Sequence, residues 1–118
     1  MKKFMAVYIG TAAAFEKFQK DFPDPQSRKA REQAGMQAWF AWADKHAKAI
    51  SDTGAPLGKT KRIGADGIRD TRNNLAGYTV VQAKSHEAAA RLFENHPHFT
   101  LFPGESVELM ECLPMPDR

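Results

Sequence analysis

Two segments of the chain are apolar at nearly every position rather than at alternate positions. They are Phe4–Ile9 and Leu75–Ala83, and both are rich in β-forming residues. In a strand, successive side chains point to opposite faces, so each segment places apolar side chains on both faces. The pattern predicts two central strands of one sheet that need cover on both sides.

The chain between these strands has a helical pattern. Apolar residues three and four apart predict a long helix over about Arg28–Ser51, opened by Ser27. The stripe consists of Met36, Trp39, Phe40, Ala43, Ala47 and Ile50. A shorter helix is predicted from Thr11 to about Gln19, and another over Ser85–Glu94.

Two further segments complete a predicted four-stranded sheet. Leu57–Ile63 is predicted as the second strand, and its basic residues suit an edge position. Asp66 and Gly67 predict a turn, Arg69–Asn74 a polar loop, and Ser106–Leu113 the last strand. The order β-α-β-β-α-β predicts an α+β, ferredoxin-like sandwich with antiparallel strand order 4-1-3-2 and helices on one face.

One helix layer can shield only one face of such a sheet. Four or five apolar side chains left on the other face forgo on the order of 10 kcal/mol of burial. That loss is comparable to the net stability of a whole domain. A second copy of the chain is the simplest cover, so we expect a homodimer formed through the open sheet face.

Composition narrows the class of protein. The 118 residues predict one domain spanning 1–118. A net charge of +3 without interleaved aromatics does not indicate nucleic-acid binding. No segment is long enough to span a bilayer, and Phe4–Ile9 fits a strand better than a secretory signal, although Lys2 and Lys3 precede it. Cys112 is the single cysteine, which favours a reducing, cytoplasmic location.

Several short motifs, taken in their order, resemble the YCII-related (DGPF) family. They include Gly77–Ala83, Ser85–Ala89, His96–His98 and Val107–Glu111, together with the Trp39–Trp42 stretch. The resemblance implies a dimeric α/β-barrel built on the ferredoxin-like topology. It also implies a small-molecule enzyme or an accessory domain, because members of that family are suspected of either role and some are associated with sigma factors.

The same resemblance bears on the histidines. Family members with a suspected site carry a histidine on the first long helix and an aspartate before a later proline. His46 matches the first position, while His96 stands before Pro97 where the aspartate is expected. His46, His96 and His98 are therefore the candidate catalytic residues, since an imidazole titrates near neutral pH.

Three other residues are candidates for ligand binding. Trp42 lies one helical turn before His46, which suits either a pocket wall or the edge of the core. Tyr78 lies mid-strand and could orient a ligand. Glu108 and Glu111 point to opposite faces of the last strand, and an inward carboxylate near a histidine would form an acid–base pair.

The sequence favours no metal site and no cofactor. His96 and His98 could approach one metal ion, but no third ligand follows at a suitable spacing. Phosphate-binding and dinucleotide-binding motifs are absent from the sequence. Two functional hypotheses remain: a homodimer that binds a small organic ligand with cofactor-free acid–base chemistry, or a non-catalytic regulatory or protein-interaction module linked to transcription.

Overall fold

The computed structural model describes residues 1–117 and contains six strands and four helices within them. In chain order the elements are β1 (Lys2–Ile9), α1 (Ala12–Asp21), α2 (Pro25–Lys45), β2 (Ile50–Pro56), β3 (Thr60–Gly64), β4 (Gly67–Thr71), β5 (Leu75–Ala83), α3 (His86–Arg91), α4 (Pro97–Thr100) and β6 (Ser106–Glu111). The predicted α+β class and the four-stranded antiparallel sheet are confirmed.

The main sheet has the strand order β2-β5-β1-β6, so the two apolar segments form its central strands. Phe4 lies opposite Val81 of β5 and Glu111 of β6. Side chains of paired residues point to the same face, so this register fixes which residues share a face. Thr11 caps α1 by accepting a hydrogen bond from the Ala14 amide at 3.1 Å, as its position predicts.

One face of the sheet holds the core. Phe4, Ala6 and Val81 are completely buried there, and Trp42 of α2 and Phe93 after α3 pack against them. The remaining core members are Tyr8, Ala83 and Ala89. This arrangement gives a sheet layer and a helix layer, consistent with a smallest molecular dimension of 18 Å.

The opposite face is apolar and is called here the bare face. Met5, Tyr78 and Val80 share it by register and remain half-exposed, and Met110 of β6 is 44% exposed. The core cluster draws no residue from it. The predicted two-sided character of the central strands is therefore present in the structure, which leaves this face to be covered.

The second strand of the sheet is not where the sequence predicts it. Ile50–Pro56 pairs with β5, whereas Leu57–Ile63 does not enter the main sheet. The strand is irregular: Gly54 has φ +73°, and a Cβ there would overlap the Tyr78 carbonyl. A polar edge strand with a glycine bulge lacks the alternating pattern that identifies strands in a sequence.

The basic segment instead forms a separate hairpin, called here the arm, which comprises β3 and β4. Ile63 pairs with Ile68 across it, and Gly64 pairs with Gly67 at the turn. The prediction of a turn at Asp66–Gly67 is confirmed, but the predicted polar loop at Arg69–Asn74 is wrong for its first half, which belongs to β4. The arm makes the molecule elongated: its radius of gyration is 16.3 Å, against about 13.5 Å for a compact chain of this length.

The long helix is shorter and rotated relative to the prediction. It ends at Lys45 rather than Ser51, because Ile50 is drawn into the sheet opposite Val81. Trp39 and Ala43 pack against the core as expected, but Met36 and Phe40 are 45% and 61% exposed, so their predicted core role is wrong. The buried residues of this helix are Gly35 and Trp42, both of which lie outside the predicted stripe.

Candidate functional site

An apolar cavity of about 430 Å³ lies beside the end of β1. Aromatic side chains form much of its wall: Phe15 of α1, Trp39 of α2 and Phe102, which follows α4. Three of its lining residues have polar side chains: Tyr8, Thr11 and His98. Among residues 1–117, no Lys, Arg, Asp or Glu side chain lines it. The chemistry of the cavity therefore rests on neutral hydrogen-bonding groups within apolar walls.

His98 is held rigidly at this cavity. Its Nε2 lies 2.8 Å from the Ile9 carbonyl oxygen, and because a carbonyl only accepts, Nε2 carries the proton. The Gly104 amide donates to the His98 carbonyl at 3.0 Å, and a Cβ at Gly104 would overlap the imidazole ring. A glycine at this position is what allows the loop to close over the ring.

The charge of His98 is set by opposing influences. Burial lowers the pKa of its imidazole, whereas hydrogen bonding to the backbone of Ile9 and Ser106 and the nearby Glu105 charge raise it. Burial has the largest effect, so the ring is neutral at neutral pH. A neutral imidazole can take up a proton from a bound molecule, and here the backbone oxygens nearby would accept hydrogen bonds from the protonated ring.

His96 lies directly behind His98 and is completely buried. Its Nδ1 accepts a hydrogen bond from the His98 amide at 3.0 Å, so His96 is the N-cap of α4. Its ring centre lies 4.4 Å from that of Trp39 and 4.5 Å from that of Trp42, both in edge-to-face arrangements. We call His96, Pro97 and His98 the histidine corner.

His96 has the role of a structural group rather than a titrating one. Burial, followed by the influence of His98, lowers the pKa of its imidazole to about 3. With Nδ1 accepting, the proton sits on Nε2, which is buried and has no hydrogen-bond partner within residues 1–117. The rings of Trp39, Trp42, Tyr8 and Phe93 have their centres between 4.4 and 5.7 Å from that of His96, so the imidazole is packed among aromatic rings.

Tyr8 connects the cavity to the sheet. Its hydroxyl lies 2.7 Å from Thr79 Oγ1, which in turn donates to the Thr53 carbonyl at 3.1 Å. Thr79 uses its only proton on that carbonyl, so the Tyr8 hydroxyl is the donor of the first bond. Burial raises the pKa of Tyr8 to about 12, only partly opposed by Thr79. Tyr8 is therefore a neutral donor with a fixed orientation.

The structure separates the predicted site residues into three places. His98 lines the cavity and His96 supports it from behind. His46 and Trp42 lie together, with ring centres 5.7 Å apart, beside a different groove between α2 and the segment after α3. Burial and the Lys45 charge lower the pKa of His46. The Trp42 indole donates to the Leu92 carbonyl at 2.7 Å, which holds the tryptophan in the core.

The remaining two candidates lie on the bare face. Tyr78 pairs with Val7 and Ala55, and Glu108 pairs with Val7 from the other side. Glu111 pairs with Phe4 and shares the core face. The register thus answers which carboxylate points where, and it places Glu108 on the face opposite His96 and His98. The ligand-binding roles of Tyr78 and Glu108 stay predictions.

Several cavity residues carry no functional signal in the sequence. The sequence predicts Trp39 as a core residue. In the structure it packs against the core and also lines the cavity. Phe102 lines the cavity because Gly35 of α2 leaves room for its ring: a Cβ at Gly35 would lie 2.7 Å from Phe102 Cε2. Such an approach between residues far apart in the chain has no local pattern. The Pro103-Gly104 pair predicts a turn, but nothing in the sequence indicates that this turn packs on His98.

Within residues 1–117 no group of three or more His, Cys, Asp or Glu residues is arranged to hold a metal ion. Over the same residues no helix combines the length and apolarity required to cross a bilayer.

Comparison with known proteins shows the fold. A solved structure of 5-chloro-2-hydroxyhydroquinone dehydrochlorinase (TftG) from Burkholderia phenoliruptrix AC1100, in complex with 2,5-dihydroxybenzoquinone, is similar to this chain with a TM-score of 0.51 and 15% sequence identity. The similarity covers 91% of this chain and 89% of that one. No protein-family model matches the sequence, and no curated protein matches it. The resemblance to the YCII-related family therefore stays a prediction.

Proposed function

We propose that this protein binds a small, uncharged aromatic molecule in the cavity beside β1, with His98 as the group that exchanges a proton with it. The observation that carries the proposal is the lining: aromatic walls, no charged side chain among residues 1–117, and three neutral polar side chains, Tyr8, Thr11 and His98, each held by a hydrogen bond within the protein. Flat apolar walls favour a planar ligand, and an isolated charge in such a cavity would lack a counter-ion.

Each polar group has a distinct part in this proposal. The locked Tyr8 ring forms one wall, with its centre 5.2 Å from that of His98. The Nε2 of His98 already carries a proton, held on the Ile9 carbonyl, so His98 accepts the proton of a ligand hydroxyl at Nδ1 and becomes an imidazolium while the ligand becomes its anion. His96 is a positioning residue, since it acts only through the His98 backbone. No cofactor takes part in the step.

The proposal extends to the assembly. We propose a homodimer in which the bare faces of two sheets meet, in the ferredoxin-like, dimeric α/β-barrel arrangement of the YCII-related family. Half-exposed Met5, Tyr78 and Val80 and the exposed Met110 support it, because they form one apolar surface. The single Cys112 is exposed and unpaired with another cysteine, which suits a cytoplasmic protein.

Calorimetric titration with three probes tests the ligand class. The probes are hydroquinone, which is uncharged at neutral pH, and two anions: benzoate, and 2,5-dihydroxybenzoquinone, the molecule held by the solved structure of similar fold, which is ionised at neutral pH and should bind more weakly than hydroquinone. We expect hydroquinone to bind more tightly than benzoate, because the cavity offers no cation to a carboxylate. Preferential binding of benzoate would contradict the proposal.

Two histidine variants locate the binding. His98→Gln keeps a polar side chain but removes the imidazole, and it should weaken binding of the preferred probe by about tenfold, or about 1.4 kcal/mol. His46→Ala is the matched control, since His46 borders the separate groove beside α2. Loss of binding in the His46 variant, with His98→Gln unaffected, would move the site to that groove.

One observation favours the second candidate function, a protein-interaction module. Met36 and Phe40 lie one turn apart on α2, with 45% and 61% of their surface exposed, away from the core. A bare-face dimer would leave them uncovered. Replacement of both by Gln should leave folding and dimer formation intact, and retention of every binding property of the parent protein would argue against this module.

A further inference from the structure

The arm has no partner strand among residues 1–117 other than its own two strands. Its two strands pair with each other but not with the main sheet. The cross-strand pair Ile63 and Ile68 is 73% and 70% exposed. An isolated two-stranded hairpin is marginally stable in water, and two exposed isoleucines side by side do not improve it. The arm therefore needs another surface on which to pack.

The arm also concentrates the positive charge of the protein. Residues 59–72 contain five basic residues, Lys59, Lys61, Arg62, Arg69 and Arg72, and two acidic ones, Asp66 and Asp70. The balance is +3, which equals the formal net charge of the whole chain. The remainder of the protein is neutral, so the surface that receives the arm should be locally acidic.

The far edge of the main sheet has that character. β6 and its flanks carry Glu105, Glu108 and Glu111, and no Lys or Arg occurs between positions 92 and 117. None of these glutamates forms an ion pair within residues 1–117. The same edge exposes apolar side chains, Met110 at 44% and Leu113 at 74%. The charge of this edge therefore matches that of the arm.

We propose that the arm of one copy packs across the β6 edge of a second copy. The geometry follows from the strand order, in which β2 and β6 are the two edges. When two sheets meet face to face about a two-fold axis parallel to their strands, the β2 edge of one lies over the β6 edge of the other. The arm leaves the sheet directly after β2, so this axis brings it to the acidic edge.

This inference rests on the homodimer of the proposed function and specifies which surfaces meet. By the register, Pro56, after which the arm begins, is level with Gly77, Tyr8 and Val107 across the sheet. The arm therefore lies at the end of the sheet where β6 begins, and its basic residues face Glu105 and Glu108 there. The contact is isologous: each copy gives one arm and receives one. Two such contacts would explain why the arm folds as a hairpin without support from its own sheet.

A charge exchange tests the contact by sedimentation equilibrium. In the first variant, Lys59→Glu and Arg72→Glu reverse the charge at the base of the arm without removing any of its three internal ion pairs, Lys61–Asp70, Arg62–Asp66 and Arg69–Asp66. We expect the dimer dissociation constant to rise by about tenfold or more, and the effect to shrink at high salt. Lys20→Glu with Lys29→Glu, on α1 and α2, makes the same change of charge and should leave dimerisation unchanged.

The rescue is the decisive measurement. Glu105→Lys with Glu108→Lys should also weaken the dimer, and combining both pairs of substitutions should restore it to within about threefold, because the attraction is re-formed with reversed signs. Ile63→Lys provides a test that does not depend on the charges: it should weaken the dimer even at high salt.

The outcomes separate this inference from the one it rests on. A wild-type dimer that is unaffected by the arm variants and by Ile63→Lys overturns the arm contact while leaving the dimer. A wild-type chain that sediments as a monomer overturns both. Binding of a single-stranded oligonucleotide that depends on Lys59 and Arg72, with dimerisation unchanged in their variant, would identify a nucleic acid instead as the occupant of the arm.

Discussion

The histidine corner and the arm differ in where their polar side chains lie: buried in the corner and exposed to solvent in the arm. In the corner, His96 and His98 are buried, and Nδ1 of the first and Nε2 of the second each have a backbone partner at 3.0 Å or less. In the arm, the Lys61–Asp70 ion pair lies in solvent, with side chains 67% and 86% exposed. A buried hydrogen bond is costly to leave unmade, whereas an exposed ion pair contributes little. The stability of the subunit should therefore reside in the corner, and the arm should matter for association.

Removal of His96 should have the largest effect. His96→Ala deletes a completely buried ring and the N-cap of α4, so we expect a loss of about 3–4 kcal/mol in the free energy of unfolding, measured by urea denaturation. His96→Asn retains a capping oxygen and should recover about 1 kcal/mol. Equal losses in both variants would show that the cap contributes nothing. A loss below about 1 kcal/mol in the alanine variant would remove the contrast with the arm.

Gly104→Ala tests how tightly the loop closes on His98. A Cβ at Gly104 would overlap the imidazole, which is hydrogen-bonded to the Ile9 carbonyl. We therefore expect the free energy of unfolding to fall by about 3 kcal/mol. Gly58→Ala is the matched control: nothing lies within 4 Å of the added Cβ, and stability should be unchanged or slightly raised. The histidine should also move, which a shift of its NMR signals would report. Tolerance of Ala at position 104 would mean that the ring is not confined.

The corner also predicts a pH dependence. The pKa of His96 falls from 6.5 in the unfolded chain to about 3 in the folded protein, so the unfolded chain binds more protons between those values. Stability is therefore fully present above pH 6.5 and declines as the pH falls toward 3. From about pH 7.5 to about pH 5, His96 alone should cost about 2 kcal/mol, and His98, whose pKa is also lowered, adds in the same direction.

The control for this pH dependence is an apolar ring of similar size. His96→Phe cannot bind a proton, so the decline in stability between neutral and mildly acid pH should become smaller by the share that His96 contributes. Urea midpoints measured across this pH range supply the comparison. An unchanged slope would assign the acid sensitivity to groups outside the corner.

The sequence predicts the corner better than the arm, for a physical reason. The central strands and the His96-Pro97-His98 turn are predicted from local composition. The structure contains them where they are predicted, because each depends mainly on residues close together in the chain. The arm and β2 do not. Ile50–Pro56 becomes a strand only through its pairing with β5, and the more β-like Leu57–Ile63 segment extends into a hairpin outside the sheet. Neither outcome is encoded in a window of a few residues.

The cavity shows the same limit. The sequence singles out His98 from its chemistry, but the approach of Phe102 to Gly35 joins positions far apart in the chain. Tyr8 and Trp39 have ring centres 4.8 Å apart, although one lies on β1 and the other on α2. Such contacts arise from the packing of whole elements, so only the structure identifies these residues as neighbours of a site.

Breaking the exposed ion pair of the arm should have the smallest effect. Lys61→Ala removes the partner of Asp70 at 2.7 Å, but both side chains are largely in solvent, so the free energy of unfolding of the subunit should change by less than about 0.5 kcal/mol. Urea denaturation at a protein concentration below the dimer dissociation constant measures the stability of the subunit without the contribution of the interface. Lys17→Ala, which breaks the exposed pair with Asp21 on α1, is the matched control and should behave alike. A loss above about 1 kcal/mol for Lys61 alone would mean that the arm stabilises its own subunit, and the division between a stabilising corner and an associating arm would not hold.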